Sequence, residues 1–373
     1  MPPIRAEWNT LAGQNPASSI FQTWEWTYYH MVYSGPNHRP VILTVRNGDR
    51  KLVGACPLFL RKTSLLKLIP VSILEFVGSG DSDYLGFLAD IHEQEAVLQA
   101  IMGWITSSKL WSVVHLRSLT ETEPLRRCLR RGTPRYKSKR LTDDLCPYIF
   151  LDRNWHSLED GLSHSLQKYL KRKTNKLTND KSWKISTVAD EETINQRMAD
   201  FMDLHNQRLR KKSLLGFFES DVQKNLFMQL TKSFAKNGWV RLITLDIDNK
   251  LAGALYTLRF KNKLLFYQSG IDPKYEKYSL GYLLHFHAVK TAWDYRLDEY
   301  DFLKGDENYK RQWANKTRKV YRLIIFSNSI NRILYNLMFI TDRFLLGAPV
   351  QKLYLFYKTT FKSKPSLSGA ANP

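Results

Sequence analysis

"VILTVRNGDRKLVGA" (41–55) and "VRLITLDIDNKLAGA" (240–254) lie over one another without a gap and agree at Val, Leu, Asp, Lys, Leu, Gly and Ala. Each reads as strand, polar turn, strand, because runs rich in Val, Ile and Leu flank an Asn/Asp cluster. Two unrelated hairpins could match this well by chance, so the segments downstream of each copy carry the decision. After the first come "ACPLFLRK", "ILEFVGSGDSDYLGFLAD", the helical-period "EQEAVLQAIMGWITSS" and the strand-like "WSVVHLRSL". After the second come "ALYTLRF", "LLFYQSG", the helix "LGYLLHFHAVKTAWDYR" and the strand-like "YDFL". The shared order predicts two copies of one α/β (α+β) unit, with mixed, mainly antiparallel sheets flanked by helices.

Length and composition fit that expectation. A chain of 373 residues, 43% hydrophobic and 13% aromatic, has room for two modules and argues against disorder as its main state. Three units are expected: 1–150, 151–316 and a tail, 317–373. Cys56, Cys128 and Cys146 are too few and too scattered for a disulfide framework, and none forms a CxxC pair. A reducing cytoplasm fits best, and no run of about 18 apolar residues suggests a membrane span. His285 and His287 lie two apart on a helix, so no metal is expected there or elsewhere. No GxSxG elbow is present.

The net charge of +21 is unevenly spread: Lys and Arg outnumber Asp and Glu by 18 to 13 in 1–150, 29 to 21 in 151–316, and 9 to 1 in 317–373. From Val320 on, Leu323, Phe326, Ile330, Ile333, Leu334, Leu337, Ile340 and Phe344 repeat at helical spacing. This predicts an amphipathic helix that docks either on the protein core or on an anionic membrane, at its inner face, with a disordered end. In "SHSLQKYLKRKTNKLTNDKSWK" (163–184), Leu166, Tyr169 and Leu170 share one face while Lys168, Lys171, Arg172, Lys173 and Lys176 crowd the other.

Chemistry concentrates between Gly270 and Trp313. Ser279-Leu280-Gly281 opens a helix whose free N–H groups suit an anion, although Ser279 also reads as an ordinary N-cap. In "DFLKGDENYKRQW" (301–313), Asp301, Asp306 and Glu307 are candidates to accept a proton, and Tyr309 to return one to a leaving thiolate. Lys304, Lys310 and Arg311 are candidates to hold anionic groups or tune those acids. A solvated turn with Asp306 capping a short helix is the plainer alternative. Asp83 and Tyr84 of "GSGDSDYLGF", with His205 and Arg208 one helical turn apart, are candidates to line an acceptor cleft.

The run "YSLGYLLHFHAVKTAWDYRLDEYDFLKGDENYKRQW" resembles the C-terminal signature of the CelD-like (cellulose-biosynthesis-associated) acyltransferases, a GNAT-superfamily branch related to the FemAB transferases. "FQTWEWTYYH" (21–30), "LVGACPLFL" (52–60), "FVGSGDSDYLGFL" (76–88) and "LHNQRLRKKSLLGFF" (204–218) resemble its other blocks in order, covering about residues 15–316. The resemblance implies tandem GNAT-like domains. It implies an acyl-CoA donor bound by the second, with the loop Lys277, Tyr278, Ser279, Leu280, Gly281 and Tyr282 cradling the pyrophosphate and strands 264–270 and 299–303 splayed around the pantetheine. Ser279-Leu280-Gly281 stands where the family pattern has two glycines. The reaction implied is acyl transfer to an amine or hydroxyl of a small-molecule, sugar or envelope-precursor acceptor. Aminoacyl-tRNA as donor, with the lysine-rich helix on RNA, and a non-catalytic membrane scaffold are the alternatives.

Overall fold

The computed structural model describes residues 4–65, 69–121, 137–211 and 213–345. The repeat is visible in its hairpins. Strand β1 (His38–Arg46) turns through Asn47–Lys51 into β2 (Leu52–Leu65), and β8 (Val240–Ile247) turns into β9 (Lys250–Phe260). The second turn is tight: Asp248 and Asn249 both take positive φ, 50° and 61°, a conformation these two residue types tolerate. The first is wider, closed by the Asn47 side chain accepting from the Lys51 N–H at 3.0 Å.

Each hairpin continues into an antiparallel third strand, β3 (Ile69–Phe76) or β10 (Lys263–Ile271). A helix then crosses over, α3 (Gln94–Ser107) in the first half and α7 (Leu280–Asp294) in the second. Each leads to a strand parallel to the third: β5 (Val113–Thr120) beside β3, and β11 (Glu299–Asp301) beside β10. The halves therefore share one order of elements, as the repeat predicts.

Their last strands are exchanged. Strand β6 (Lys137–Phe150) from the first half pairs with β11 of the second, while β12 (Lys316–Phe326) pairs with β5 of the first and with β6. One sheet results, ordered β1-β2-β3-β5-β12-β6-β11-β10-β9-β8-β7, with the two-residue β4 (Leu88–Ala89) on β2 and β7 (Trp183–Val188) at the far edge. The expected boundary after residue 150 falls at the end of a strand that already belongs to both halves.

Residues 320–326 are strand rather than the expected helix. "VYRLIIF" lies in the middle of the sheet, covered on both faces, and a strand so placed reads as a continuous apolar run that spacing cannot separate from a helix. The helix, α9 (Ser329–Leu345), starts only after Asn328, whose side chain accepts from the Asn331 N–H at 2.8 Å. The rest of the expected tail, 346–373, lies outside the described residues.

Helices cover both faces. On one, α2 (Trp24–Val32), α5 (Glu191–Lys211) and α6 (Asp221–Lys236) close over an aromatic core containing Trp26, Phe201, Phe218, Phe227 and Tyr267, drawn from both halves. Helix α1 (Arg5–Gln14) adds a smaller cluster, packing Trp8 and Leu11 with Leu52 and Leu88. On the other face, α7 and the lysine-rich α4 (His164–Asp180) bury Leu166, Leu170, Leu284 and Val289. Helix α4 starts where Ser163 accepts from the Leu166 N–H, and its Lys168, Lys171, Arg172 and Lys176 face solvent.

Candidate functional site

The site begins as a fault in the sheet. Strand β10 pairs with β11 over only three residues, Lys263–Leu265 against Glu299–Asp301. Immediately afterwards its register with β9 slips between Phe266 and Gln268. A bulge there bends a strand and strengthens its twist, and no residue of β10 beyond Leu265 pairs with β11. Gly270 holds the divergent end against α5: a Cβ there would come 2.7 Å from the Phe201 carbonyl oxygen and 3.0 Å from the His205 nitrogen. Pairing between the two segments expected to splay is confined to Lys263–Leu265 and Glu299–Asp301.

Helix α7 starts at the mouth of this gap. A 3-10 turn, Pro273–Tyr278, runs into Ser279, whose φ of 56° is left-handed. Ser279 is not the ordinary N-cap the sequence allows, because its side chain makes no capping bond. Its hydroxyl instead pairs with the Tyr169 hydroxyl of α4 at 2.8 Å. The Tyr282 N–H is taken by the Ser279 carbonyl at 2.9 Å, whereas the N–H groups of Leu280 and Gly281, which line the cleft, make no backbone bond to the 3-10 turn. A Cβ on Gly281 would press on Ile271 Cδ1 at 3.2 Å, so glycine keeps this approach open.

The resulting cleft has a volume of about 440 Å³ and is lined by Arg208, Ser269, Ile271, Gly281, His285 and Tyr309 among others. Arg208 donates to the Ser269 hydroxyl at 2.5 Å. His285 bonds the Tyr300 hydroxyl through Nδ1 at 2.8 Å, and burial, helped by Lys310 and Arg208, lowers its pKa to about 3. It is a neutral imidazole at working pH. Burial and the neighbouring Glu307 push the Tyr309 hydroxyl up, so it carries its proton.

Asp301, a candidate proton acceptor from the sequence, does not line the cleft at the helix start. Along β11, Tyr300 and Phe302 face α7, and Asp301 points to the opposite face. It is 0% exposed, accepts from the Tyr84 hydroxyl at 2.9 Å and the Leu303 N–H at 2.8 Å, and has Arg318 at 3.8 Å. Burial raises its pKa against the pull of Arg318. Asp301 and Tyr84 are thus a strut between the halves.

The remaining motif residues form a latch. Leu303 and Gly305 take positive φ, 59° and 108°, to turn the chain out of β11. Lys310, 4% exposed, donates to the Lys304 carbonyl at 2.5 Å and pairs with Glu307 at 2.9 Å. Asp306 does not cap α8 (Asn308–Trp313); it pairs with Arg311 at the surface. The latch is what carries Tyr309 into the cleft.

Other expected residues lie nearby in different roles. Lys304 is held in the seam by the Ser118 hydroxyl at 2.5 Å, with Asp143 at 3.7 Å and Asp83 at 4.0 Å. His205 is spent on backbone, its Nδ1 on the Ser269 carbonyl at 2.9 Å and its Nε2 accepting from the Phe217 N–H. Lys277 and Tyr278 bind Asp180 of α4 at 3.2 and 2.8 Å, while Tyr282 donates to Gln312 at 2.7 Å. The sequence reading does not single out His285 or Ser269 as cleft residues. His285 comes four positions after Gly281 and so shares its helix face, a signal that was available. Among the described residues no group of three or more His, Cys, Asp or Glu is placed to hold a metal.

A family model of the acetyltransferase (GNAT) domain matches residues 164–311. Residues 164–311 carry a GNAT-type acyltransferase domain. The whole fold is similar to that of FemX at TM-score 0.62 and 12% identity, covering 89% of this chain and 98% of that one. It is also similar to the C-terminal domain of an Agrobacterium fabrum protein assigned as a lysylphosphatidylglycerol synthetase (TM-score 0.56, 8% identity, 91% and 96% covered). A third is L-PGS from Bacillus licheniformis (TM-score 0.53, 9% identity, 92% and 97% covered). No curated protein matches the sequence.

Proposed function

We propose that the cleft between β10 and α7 binds an acyl-coenzyme A and that the acyltransferase passes its acyl group to an amine or hydroxyl, in a CelD-like reaction on a sugar or envelope precursor. The observation that carries this reading is the three-residue pairing of β10 with β11, which opens a slot ending at the N-terminus of a 15-residue helix. Such a terminus favours phosphate through its free N–H groups and its dipole. Arg208 adds positive charge in the cleft, while Lys211 at the rim is paired with Glu276 at 2.8 Å. Bound there, the thioester supplies an acyl carbon open to attack and a thiolate as leaving group.

The chain's own part is to bind, orient and move one proton. Beyond the bulge, β10 has backbone groups free of a β11 partner to align the donor, and Ile271, Leu280 and Leu255 exclude water around it. Tyr309 holds its proton at the hydroxyl oxygen and gives it to the departing sulfur, and the proton that the acceptor nitrogen or oxygen sheds on bonding the acyl carbon restores the hydroxyl. His285 stays neutral and stiffens the wall through Tyr300. The envelope-precursor acceptor is supported by the fold similarity to FemX and to lysylphosphatidylglycerol synthetases.

Isothermal titration of the full chain with coenzyme A tests the donor, and Gly281→Val tests the place. Saturable binding that the variant weakens at least tenfold, with melting unchanged, is expected. Absence of binding by coenzyme A and by its acyl esters would remove the reading. A second reading, aminoacyl-tRNA as donor, is favoured by one feature: α4 places a solvent-facing row of four basic residues beside the helix start, with Lys173 bonded to the Lys277 carbonyl at 2.9 Å. Salt-dependent retention of tRNA on filters, without coenzyme A binding, would transfer the proposal to it.

A further inference from the structure

The cleft takes the far end of β10, at Ser269 and Ile271. A second cavity, of about 540 Å³, takes the near end, at Lys263 and Leu265, and no residue lines both. Its walls come from both halves of the chain. The segment between α1 and α2 supplies Ser18 and Ile20, β6 supplies Tyr148, the turn from β9 into β10 supplies Phe260 and Lys261, and β12 supplies Arg318 and Lys319. The floor is apolar: Ile20, Phe260 and Leu265 are buried, and the Arg318 guanidinium lies 4.1 Å from the Tyr148 ring centre.

Lys261 selects the occupant. It is the first of two residues turning β9 into β10 and has a φ of 53°, a left-handed conformation uncommon for lysine, so the turn holds it against local preference. Its ammonium donates to the Asn15 carbonyl, to the Ser18 hydroxyl at 2.7 Å and, at a longer 3.3 Å, to the Ser18 carbonyl. All three acceptors are neutral. Burial, helped by Lys263, pulls the Lys261 pKa down to about 8, with no acid acting to raise it. The other buried cations are already matched: Lys263 and Arg318 share Glu299, and Arg318 also faces Asp301 at 3.8 Å. Glu121, the second acid of the lining, accepts the Tyr321 hydroxyl at 2.5 Å, and Lys319 is exposed at the rim. We propose that this cavity binds a small organic anion with an apolar body, its charged end replacing the long Ser18 contact at Lys261 and its body lying on Ile20, Phe260 and Leu265. This proposal stands independently of the donor bound in the cleft.

The test is fluorescence titration of the full chain with anilinonaphthalene sulfonate, an aromatic anion, beside phenylnaphthylamine, which has the same rings and no sulfonate. Wild type should bind the anion saturably. Lys261→Met keeps most of the side chain's length and removes its charge, so it should weaken the anion at least about tenfold and leave the uncharged probe as in wild type. If Lys261→Met melts lower than wild type, Lys319→Glu decides in its place: the position is exposed, so the fold should hold and the anion alone should bind more weakly. Gly281→Val, which alters the donor cleft, should bind the anion as wild type does. No binding of the anion by folded wild type overturns the proposal, as does a folded charge variant that binds it equally well or that weakens both probes alike. Displacement of the anion by coenzyme A, with its loss in Gly281→Val, would assign the probe to the donor cleft and overturn the proposal too.

Discussion

Tyr309 and Asp301 belong to one short motif and face different surroundings, so their substitutions should read out differently. Tyr309→Phe removes the proton proposed for the leaving thiolate and should lower kcat by about 10²-fold with KM and melting temperature near wild type. Asp301→Asn weakens the strut to Tyr84 and Arg318 and should lower unfolding free energy by about 1–3 kcal/mol, while the folded fraction keeps its turnover. Steady-state kinetics beside urea unfolding separates the two, and the reverse pattern would return Asp301 to the chemistry. Asp83 supplies a pH signature. Burial lifts its carboxyl to about 6 against the pull of Lys304 and Lys310. A raised folded pKa means the folded chain holds this proton more tightly than the unfolded chain, so the stabilisation is complete below about pH 4 and lost as the pH rises through 6. Asp83→Asn should therefore gain stability relative to wild type between about pH 4.5 and pH 7.5, and a pH-independent difference would show that the carboxyl is not shifted.

At the scale of elements, the cleft depends on how β10 bends and on the contacts that keep it bent. Gly270 sits where α5 crosses the divergent end of the strand, with backbone rather than flexible side chain in the way of a Cβ. Gly270→Ala should cost about 1–3 kcal/mol and weaken coenzyme A binding along with it, because the strand must shift to admit the methyl group. Calorimetry with a paired coenzyme A titration checks this, and an alanine variant of unchanged stability would mean α5 yields without cost. The hairpins, α3, α7 and the lysine face of α4 were legible in the sequence, since each depends on local periodicity and turn chemistry. Strand β12 was not. Its central place in the sheet buries both faces, which erases the alternation that marks a strand and leaves an apolar run that also fits a helix.

Across the whole molecule, exchange of β6 and β12 makes each half incomplete without the other. Neither half can open without exposing the central strands of a shared sheet, so urea unfolding monitored by tryptophan fluorescence and by far-ultraviolet circular dichroism should give one coincident transition. Two separated transitions would show that the halves are stable alone. The amino-acid sequence by itself determined the repeat, the order of elements within each copy and the helix start at Ser279-Leu280-Gly281, all of which arise from interactions within a few turns or strands of chain. Only the tertiary structure decided that Asp301 faces the seam, that Lys310 latches the turn, and that Ser269 lines the cleft. Those outcomes depend on which surfaces meet across hundreds of residues, and residue spacing carries no record of that.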